Sequence, residues 1–313
     1  MNDFEYQAPK TVEDAVTLLA GAAGRAKLLA GGTDILVQLR EGLRQADLVV
    51  DIKKIPEVMQ LDLTPGKGLI VGAAVPCYRI HGDAKIASSY AGLADATHII
   101  GAWQIQSRAS LGGNLCNASP AADSIPAMIA YGAKCNVAGP KGARRTIPVE
   151  AFCTGPGKNC LAPGEMLVSI EFPAQKAHSG AQYQRFIPRN EMDIAVVGVG
   201  SWVQLDPSGK TIAAARIGVG AVAPTPLYAE EASQWLVGKP ATTESFEQAG
   251  NLARKIAKPI SDMRGTAEYR VHLVGVLVKR TLTNATARAR GEYVDSMPAG
   301  CLHAAAGANG QSA

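Results

Sequence analysis

The chain has 313 residues, with 31 Lys plus Arg against 27 Asp plus Glu, which gives a formal net charge of +4. This small excess disfavours nucleic-acid binding, because surfaces that follow a phosphate backbone carry denser basic clusters. Apolar residues make up 47% of the chain, so there is enough apolar surface to exclude disorder as the main state. The 33 glycines exceed the usual share and need a local explanation.

Two further features concern the cellular setting. No apolar run approaches the roughly 18 residues that span a bilayer, and the acidic N-terminus Met1–Glu5 lacks the basic and apolar regions of a secretory signal. The six cysteines form no CxxC pair and no spacing typical of zinc or iron–sulfur ligands. The sequence therefore predicts a cytoplasmic protein with reduced thiols and no metal site of its own.

The first half of the chain alternates helical and strand-like segments. Residues 12–20 have an apolar helical face, and Thr11 precedes them as a typical N-cap. Another helix is predicted over 120–130, with Pro120 in its first turn. The remaining predicted segments are strands at 28–30, 48–52, 68–72, 135–137 and 167–172, helices at 35–39 and 91–96, and Gly-Gly turns at 31–32 and 112–113.

The pattern changes after Pro173. Two strand-like segments, 196–205 and 211–220, flank a strong turn and predict a hairpin. Helices are predicted at 227–237, 243–258 and 266–283, so we expect a domain boundary near 174–178. The last thirty residues are predicted to be weakly packed or to wrap a partner.

The two Gly-Gly segments are the candidate binding elements. Adjacent glycines allow positive φ and remove the Cβ atoms that would keep a ligand away, so successive backbone N–H groups can converge on an anion. One such segment is more often a simple tight turn, but two, about 80 residues apart, indicate a pyrophosphate held from two sides. Neither contains GxGxxG or ends in GK[ST], which disfavours Rossmann and P-loop folds.

These segments resemble a known family. Ala30 to Leu36 (AGGTDIL) and Ser110 to Asp123 (SLGGNLCNASPAAD) resemble the FAD-binding medium subunit of molybdenum hydroxylases, the group that includes xanthine dehydrogenase and aerobic carbon monoxide dehydrogenase. The GGN-x₄-SP-x₂-D string is the most specific part, and the resemblance extends to about residue 285.

The resemblance implies an α+β fold. Residues 1–174 would form the two-lobed FAD-binding domain of the vanillyl-alcohol oxidase and cresol methylhydroxylase (VAO/PCMH) type, with a break between lobes near 55–60. Residues 178–285 would form a small α+β domain with an antiparallel sheet and helices, and 286–313 a tail.

The resemblance also implies a binding site. The two glycine segments would bind the FAD pyrophosphate, Asp123 the ribityl or adenosine part, and Leu167 would lie near the flavin ring. Arg185, where many relatives have Lys, would place a cation near flavin N1 and O2. Thr33 stands where covalent members of the wider group often carry His, so the FAD is expected to be non-covalent. The predicted binding residues are Leu29, Ala30, Gly31, Gly32, Thr33, Asp34, Ser110, Gly112, Gly113, Asn114, Asp123, Leu167 and Arg185.

Simpler interpretations of some of these residues stay open. Asp34 and Asp123 precede helical segments, where acids favour the helix N-terminus. Arg185 is equally compatible with a surface charge. Trp103 fits a core or interface position, or one flanking the flavin. The five histidines show no metal spacing and are interpreted as structural or exposed.

The function implied is electron transfer by the flavin itself, with no catalytic side chain. A large partner would carry the molybdenum cofactor, a small partner two [2Fe–2S] clusters, and this chain would pass electrons to NAD⁺, a quinone or O₂, in a dimer of heterotrimers. Two alternatives stay open: a self-sufficient FAD-dependent oxidase or reductase of the same fold, and a non-catalytic nucleotide-binding assembly module.

Overall fold

The structure is a computed structural model that describes residues 3–22, 24–189 and 192–294. Its first lobe (residues 3–54) contains β1 (Glu5–Gln7), α1 (Val12–Gly21), β2 (Ala26–Leu29), α2 (Ile35–Arg40) and β3 (Leu48–Asp51). The three strands form a parallel sheet in the order β1-β3-β2. The Thr11 hydroxyl accepts a hydrogen bond from the Asp14 N–H at 3.1 Å, so Thr11 caps α1 as predicted.

The second lobe (residues 61–172) is larger. Its elements in chain order are β4 (Leu61–Thr64), β5 (Gly68–Gly72), α3 (Cys77–His81), α4 (Ala84–Ser89), α5 (Ala91–His98), α6 (Trp103–Gln106), α7 (Leu111–Asn117), α8 (Ser124–Ala130), β6 (Lys134–Ala138), β7 (Arg144–Pro148), β8 (Cys153–Gly155), β9 (Lys158–Asn159) and β10 (Met166–Phe172). Five strands form an antiparallel sheet in the order β4-β5-β10-β6-β7, while β8 and β9 form a small hairpin. The helices cover this sheet and share its buried core.

The C-terminal domain (residues 178–289) follows. Its elements are β11 (Ser179–Phe186), β12 (Val197–Leu205), β13 (Ile212–Gly220), β14 (Leu227–Tyr228), α9 (Glu230–Trp235), α10 (Thr243–Arg254) and α11 (Ala267–Ala289). The strands form an antiparallel sheet in chain order, with the predicted hairpin at its centre. Apolar residues of the sheet and of α9, α10 and α11 form a core separate from that of the second lobe. Among the described helices, none is both long and apolar enough to cross a membrane.

Glycine lets the C-terminal sheet lie directly on α8. A Cβ at Gly200 on β12 would come within 2.6 Å of the Pro126 carbonyl oxygen, and one at Gly218 on β13 would collide with the same atom. Part of the glycine excess is therefore explained by this close approach of sheet and helix. The contact also brings the start of α8 close to β11.

Several sequence predictions are corrected by the structure. The helix predicted over 120–130 begins only at Ser124, after a turn, and its early proline is Pro126 rather than Pro120. A proline is tolerated there because the first N–H groups of a helix have no internal partner. The helix predicted over 227–237 is a short strand and then α9, because Leu227 and Tyr228 pair with β13.

The end of the chain also differs from its prediction. The helix predicted over 266–283 continues to Ala289, so the first residues assigned to the tail are helical and packed. The tail prediction for 295–313 lies outside the described residues. The changes of sheet at 52–60 and 173–178 support the predicted division into domains, which stays a prediction.

Candidate functional site

A cleft of about 680 Å³ opens between the two lobes, and the C-terminal domain completes its wall. Every predicted binding residue except Leu29 lines this cleft, although the residues come from segments far apart in sequence. The Leu29 side chain packs instead against a small core of Leu39, Ala46 and Val49, so we leave it out of the site. The volume is typical of sites for small molecules and cofactors.

The first glycine segment is a loop between β2 and α2, and contacts with other parts of the chain hold its backbone in place. Gly32 has a φ of +80°, the left-handed conformation that glycine adopts readily. A side chain at Gly31 would collide with the Arg108 carbonyl, so this loop packs directly on the backbone that leads to the second segment. Lys53 donates to the Ala30 carbonyl at 2.8 Å and to Asp51 at 2.8 Å.

The second glycine segment is the first turn of α7, not the turn that was predicted. Neither Gly112 nor Gly113 has a positive φ. Ser110 is the N-cap, and its hydroxyl accepts from the Gly113 N–H at 3.1 Å. A side chain at Gly112 would collide with Ala73, whereas a Cβ at Gly113 would meet only the Ser110 hydroxyl oxygen, at 3.1 Å. Gly113 thus keeps its side of the cleft open for a close ligand.

The two glycine segments are tied together across the cleft. Gln38 on α2 donates from Nε2 to the side-chain oxygen Oδ1 of Asn117 on α7 at 3.0 Å. Asn114 on α7 accepts from the Ser124 hydroxyl at 2.6 Å, which connects α7 to α8. Because α2 and α7 belong to different lobes, the Gln38–Asn117 bond joins the two sides of the cleft.

A buried acid and a buried cation form another part of the cleft wall. Asp123 accepts from Arg185 Nη1 at 2.7 Å on one carboxylate oxygen and from the Tyr183 hydroxyl at 2.8 Å on the other. Asp123 is 9% exposed and the Arg185 side chain 7%. Burial raises the pKa of Asp123 to about 6, against the opposing effect of Arg185. The interpretation of Arg185 as a surface charge is therefore wrong.

The interpretation of Asp34 as a helix cap is wrong, because its side chain makes no capping hydrogen bond to α2. Asp34 is exposed at the cleft, where partial desolvation raises its pKa. Asp123 directly precedes α8 without capping it, a position compatible with an acid favoured by the helix dipole. Both carboxyls line the cleft.

Leu167 lies where the central sheet reaches the cleft. It is buried on β10, and the pairing of β10 with β6 shifts between Leu167 and Ser169. Such a bulge re-aims the backbone beside a site. Trp103, by contrast, is 73% exposed, lies outside the cleft and contacts the His98 ring edge-on. The option of Trp103 flanking the flavin is therefore disfavoured.

Some contributors to the site were missed from sequence. These residues hold the site together through hydrogen bonds to partners that lie 23 to 79 positions away in the sequence: Lys53, Gln38, Asn117 and Tyr183. A single sequence shows no periodicity or motif for such contacts. His303 lies outside the described residues, and within them no group of three or more His, Cys, Asp and Glu is arranged to hold a metal ion.

Comparison with known proteins defines the class. Residues 2–175 match the family described as the FAD binding domain in molybdopterin dehydrogenase, and residues 182–285 match the CO dehydrogenase flavoprotein C-terminal domain. The chain therefore belongs to the FAD-binding flavoproteins of the molybdopterin dehydrogenases. The predicted family and α+β fold class are confirmed, as are FAD as cofactor and an oxidoreductase activity.

Individual relatives extend over nearly the whole chain. The xanthine dehydrogenase FAD-binding subunit of Escherichia coli O157:H7 is 33% identical over 93% of this chain and 99% of its own. The carbon monoxide dehydrogenase medium chain of Hydrogenophaga pseudoflava is 34% identical over 91% and 98%. A solved structure of carbon monoxide dehydrogenase from Hydrogenophaga pseudoflava, in a form lacking the Mo-pyranopterin moiety, superposes with a TM-score of 0.87 at 33% identity, over 92% of this chain and 98% of that one.

Proposed function

We propose that this chain is the electron-transfer subunit of a molybdenum hydroxylase complex, which takes electrons from the [2Fe–2S] clusters of a partner and passes them to an external acceptor. The observation that carries the proposal is the composition of the cleft: two glycine segments, a buried acid and a buried cation line one cavity. Bound FAD supplies a group that exchanges electrons both singly and in pairs.

The residues present fit FAD. The backbone from Ala30 to Thr33 and the open side of α7 at Gly113 would hold the pyrophosphate, since both approach the cleft without an intervening side chain. Arg185 would hold a positive charge against the electron-rich end of the flavin. Lys53 would keep the first segment in place through the Ala30 carbonyl.

The FAD is proposed to be non-covalent. Thr33 offers no ring nitrogen for attachment. Within the part of the chain that the structure describes, Cys116 is the one cysteine that lines the cleft, and burial raises its pKa to about 12. A thiol that stays protonated is a poor nucleophile. Acid precipitation of the purified chain is expected to release all flavin into the supernatant; flavin that stays with the pellet would contradict this.

The partners are inferred from the kinds of subunit that the relatives are. Because these are a medium chain and an FAD-binding subunit, we propose a small iron–sulfur partner and a large partner with the molybdenum cofactor, in a dimer of heterotrimers. The described cysteines are all free thiols, which supports the reducing cytoplasm as the location.

The substrate of the complex is proposed to bind on the large partner. Relatives named for xanthine and for carbon monoxide are 33% and 34% identical to this chain, so resemblance does not favour either substrate. NAD⁺, a quinone and O₂ remain the candidate acceptors.

Anaerobic stopped-flow mixing tests the proposal. The full chain with its flavin would be mixed with the dithionite-reduced iron–sulfur partner, and separately with xanthine or carbon monoxide alone. We expect flavin bleaching with the reduced partner only, followed by reoxidation on adding NAD⁺, ubiquinone-1 or O₂. Bleaching by xanthine or carbon monoxide alone would favour a self-sufficient oxidase, and a chain that binds no flavin would favour an assembly module.

A pair of glycine variants tests the assigned binding residues. Gly113→Ala adds a methyl group on the open side of α7, so it is expected to weaken FAD binding while the apo chain unfolds at an unchanged or higher urea concentration. Gly31→Ala forces the two segments apart and is expected to lower both FAD affinity and stability, the latter by about 1–3 kcal/mol. Unchanged FAD affinity in Gly113→Ala would remove that residue from the site.

A further inference from the structure

The buried pair on the cleft wall holds a charge that changes with one proton. A guanidinium carries a permanent positive charge, so the pair is neutral when Asp123 is ionised and positive when Asp123 is protonated. One Asp123 oxygen accepts a hydrogen bond from Arg185, and the other accepts one from the Tyr183 hydroxyl. The side chains of Asp123 and Arg185 are both almost fully buried. The carboxylate is therefore positioned to cancel the cation that would face the flavin.

Other ionisable groups near Arg185 are less suited to neutralising its charge. Tyr183 stays neutral, because burial raises the pKa of its hydroxyl well above 10. Glu165 and Asp193 line the same cleft, but each is already bound to an arginine, Arg145 and Arg189. Among the residues that the structure describes, the other charged side chains lining the cleft are Lys27, Asp34 and Arg44. Asp123 is the carboxyl in direct contact with Arg185.

We propose that Asp123 is a positioning residue that couples flavin reduction to proton uptake, by releasing Arg185 from its ion pair when the flavin becomes negatively charged. The inference rests on the proposed function, since it requires FAD beside Arg185. Two electrons come from the [2Fe–2S] clusters of the partner. One proton from solvent accompanies them to the flavin, and a second protonates an Asp123 carboxylate oxygen.

The direction of the coupling follows from electrostatics. A negative charge on the reduced flavin disfavours a second anion nearby and so raises the pKa of Asp123 further from its value of about 6. Between the lower pKa with oxidised flavin and the higher pKa with reduced flavin, reduction takes up the extra proton. At pH values below or above this interval, Asp123 has the same protonation state with oxidised flavin as with reduced flavin, so reduction takes up no extra proton.

The test is the pH dependence of the flavin midpoint potential in the full chain. In the interval above pH 6, the wild-type slope is expected to be steeper than that of Asp123→Asn by about 30 mV per pH unit, the value for one proton per two electrons. At high pH the variant is expected to have the higher potential, because its Arg185 is never neutralised. The two potentials should converge at low pH.

A matched control is available in Asp95→Asn. Asp95 is also buried and paired with an arginine, Arg288, but it lies outside the cleft. This variant is expected to keep the wild-type slope even if its stability falls, which separates proton coupling from a structural effect.

A second measurement uses the wild-type chain, so its main result does not depend on how a variant folds. Redox-induced infrared difference spectra of the wild-type chain are expected to gain a carboxylic-acid band on reduction near neutral pH. Loss of that band in Asp123→Asn would assign it to Asp123. Equal slopes in wild type and Asp123→Asn, or no such band in wild type with flavin bound, would overturn the proposal. A chain that binds no flavin would instead overturn the proposed function.

Discussion

Two buried aspartate–arginine pairs of the same chemistry serve different regions of this molecule. Arg288 on α11 donates from both terminal nitrogens to Asp95 on α5, at 2.7 and 3.1 Å, and so joins the C-terminal domain to the second lobe. Arg185 donates to Asp123 from one nitrogen at 2.7 Å, and both residues line the cleft. Among the described residues, Arg288 makes three hydrogen bonds, two to Asp95 and one to the Ala181 carbonyl, whereas Arg185 makes one, to Asp123, so more of its donors are left for a ligand.

Removing the cation of the structural pair is expected to have the largest effect. Arg288→Ala leaves Asp95 buried without its partner and frees the Ala181 carbonyl, which accepts from the same guanidinium at 2.7 Å. Breaking a buried pair in this way costs about 3–5 kcal/mol. Urea denaturation would measure the loss, with Arg290→Ala as the control, since that nearby arginine makes an exposed bond to the Gly209 carbonyl. Equal losses in both variants would reject a structural role for the pair.

The next largest effect is a pH dependence that belongs to the cleft pair. Asp123 has a pKa of about 6 in the folded chain against about 3.9 unfolded, so between these values the folded state binds more protons. Stability contributed by this group therefore falls as pH rises from about 4 to 6, by about 3 kcal/mol. We expect the wild-type apo chain to lose this amount relative to Asp123→Asn.

An acid with the opposite shift provides the contrast. The Thr211 N–H and the Ser208 hydroxyl lower the pKa of the Asp206 carboxyl, which lies at the surface and is only partly buried. Relative to Asp206→Asn, the wild-type chain should therefore gain stability as pH rises, because a lowered pKa stabilises the folded state only once the acid is ionised. If wild-type stability changed with pH in the same direction relative to Asp123→Asn as relative to Asp206→Asn, the raised pKa assigned to Asp123 would be contradicted.

The contrast between the pairs also shows what the sequence could predict. Asp123 and Arg185 were found because each lies in or near a motif with a family resemblance, and the glycine segments were found for the same reason. Asp95 and Arg288 lie in no motif and are 193 positions apart, so only the folded chain brings them together. Arg288 fell in a segment that composition predicted to be a weakly packed tail.

The local contacts of the predicted glycines were less predictable than their position at the cleft. All four glycines of the two segments line the cleft, but positive φ applies only to Gly32. Gly31 and Gly112 are required by contacts with backbone from other parts of the chain, at Arg108 and Ala73. The sequence shows where a glycine stands. Which residue would clash with a side chain at that position depends on tertiary packing, which the sequence does not show.

A double-mutant cycle measures how strongly the cleft pair is coupled. Combining Asp123→Asn with Arg185→Gln at pH 8, where Asp123 is ionised, is expected to give a coupling energy of about 2 kcal/mol, the range of hydrogen bonds to charged groups. At pH 5 the carboxyl is protonated and the coupling should shrink. A coupling energy that does not change between these pH values would show that the carboxyl does not titrate in this range.

The smallest expected effect comes from the hydroxyl on the other side of Asp123. Tyr183→Phe removes the 2.8 Å hydrogen bond and should cost about 1 kcal/mol in urea denaturation at pH 8. Because that bond favours the ionised carboxyl, its loss should raise the pKa of Asp123, and the cost should be smaller at pH 5. Tyr269→Phe, at an exposed ring of the C-terminal domain, is the control and should change stability by less than about 0.5 kcal/mol at either pH. If Tyr183→Phe costs the same at both pH values, the hydroxyl only fills space, and Arg185 alone determines when Asp123 is ionised.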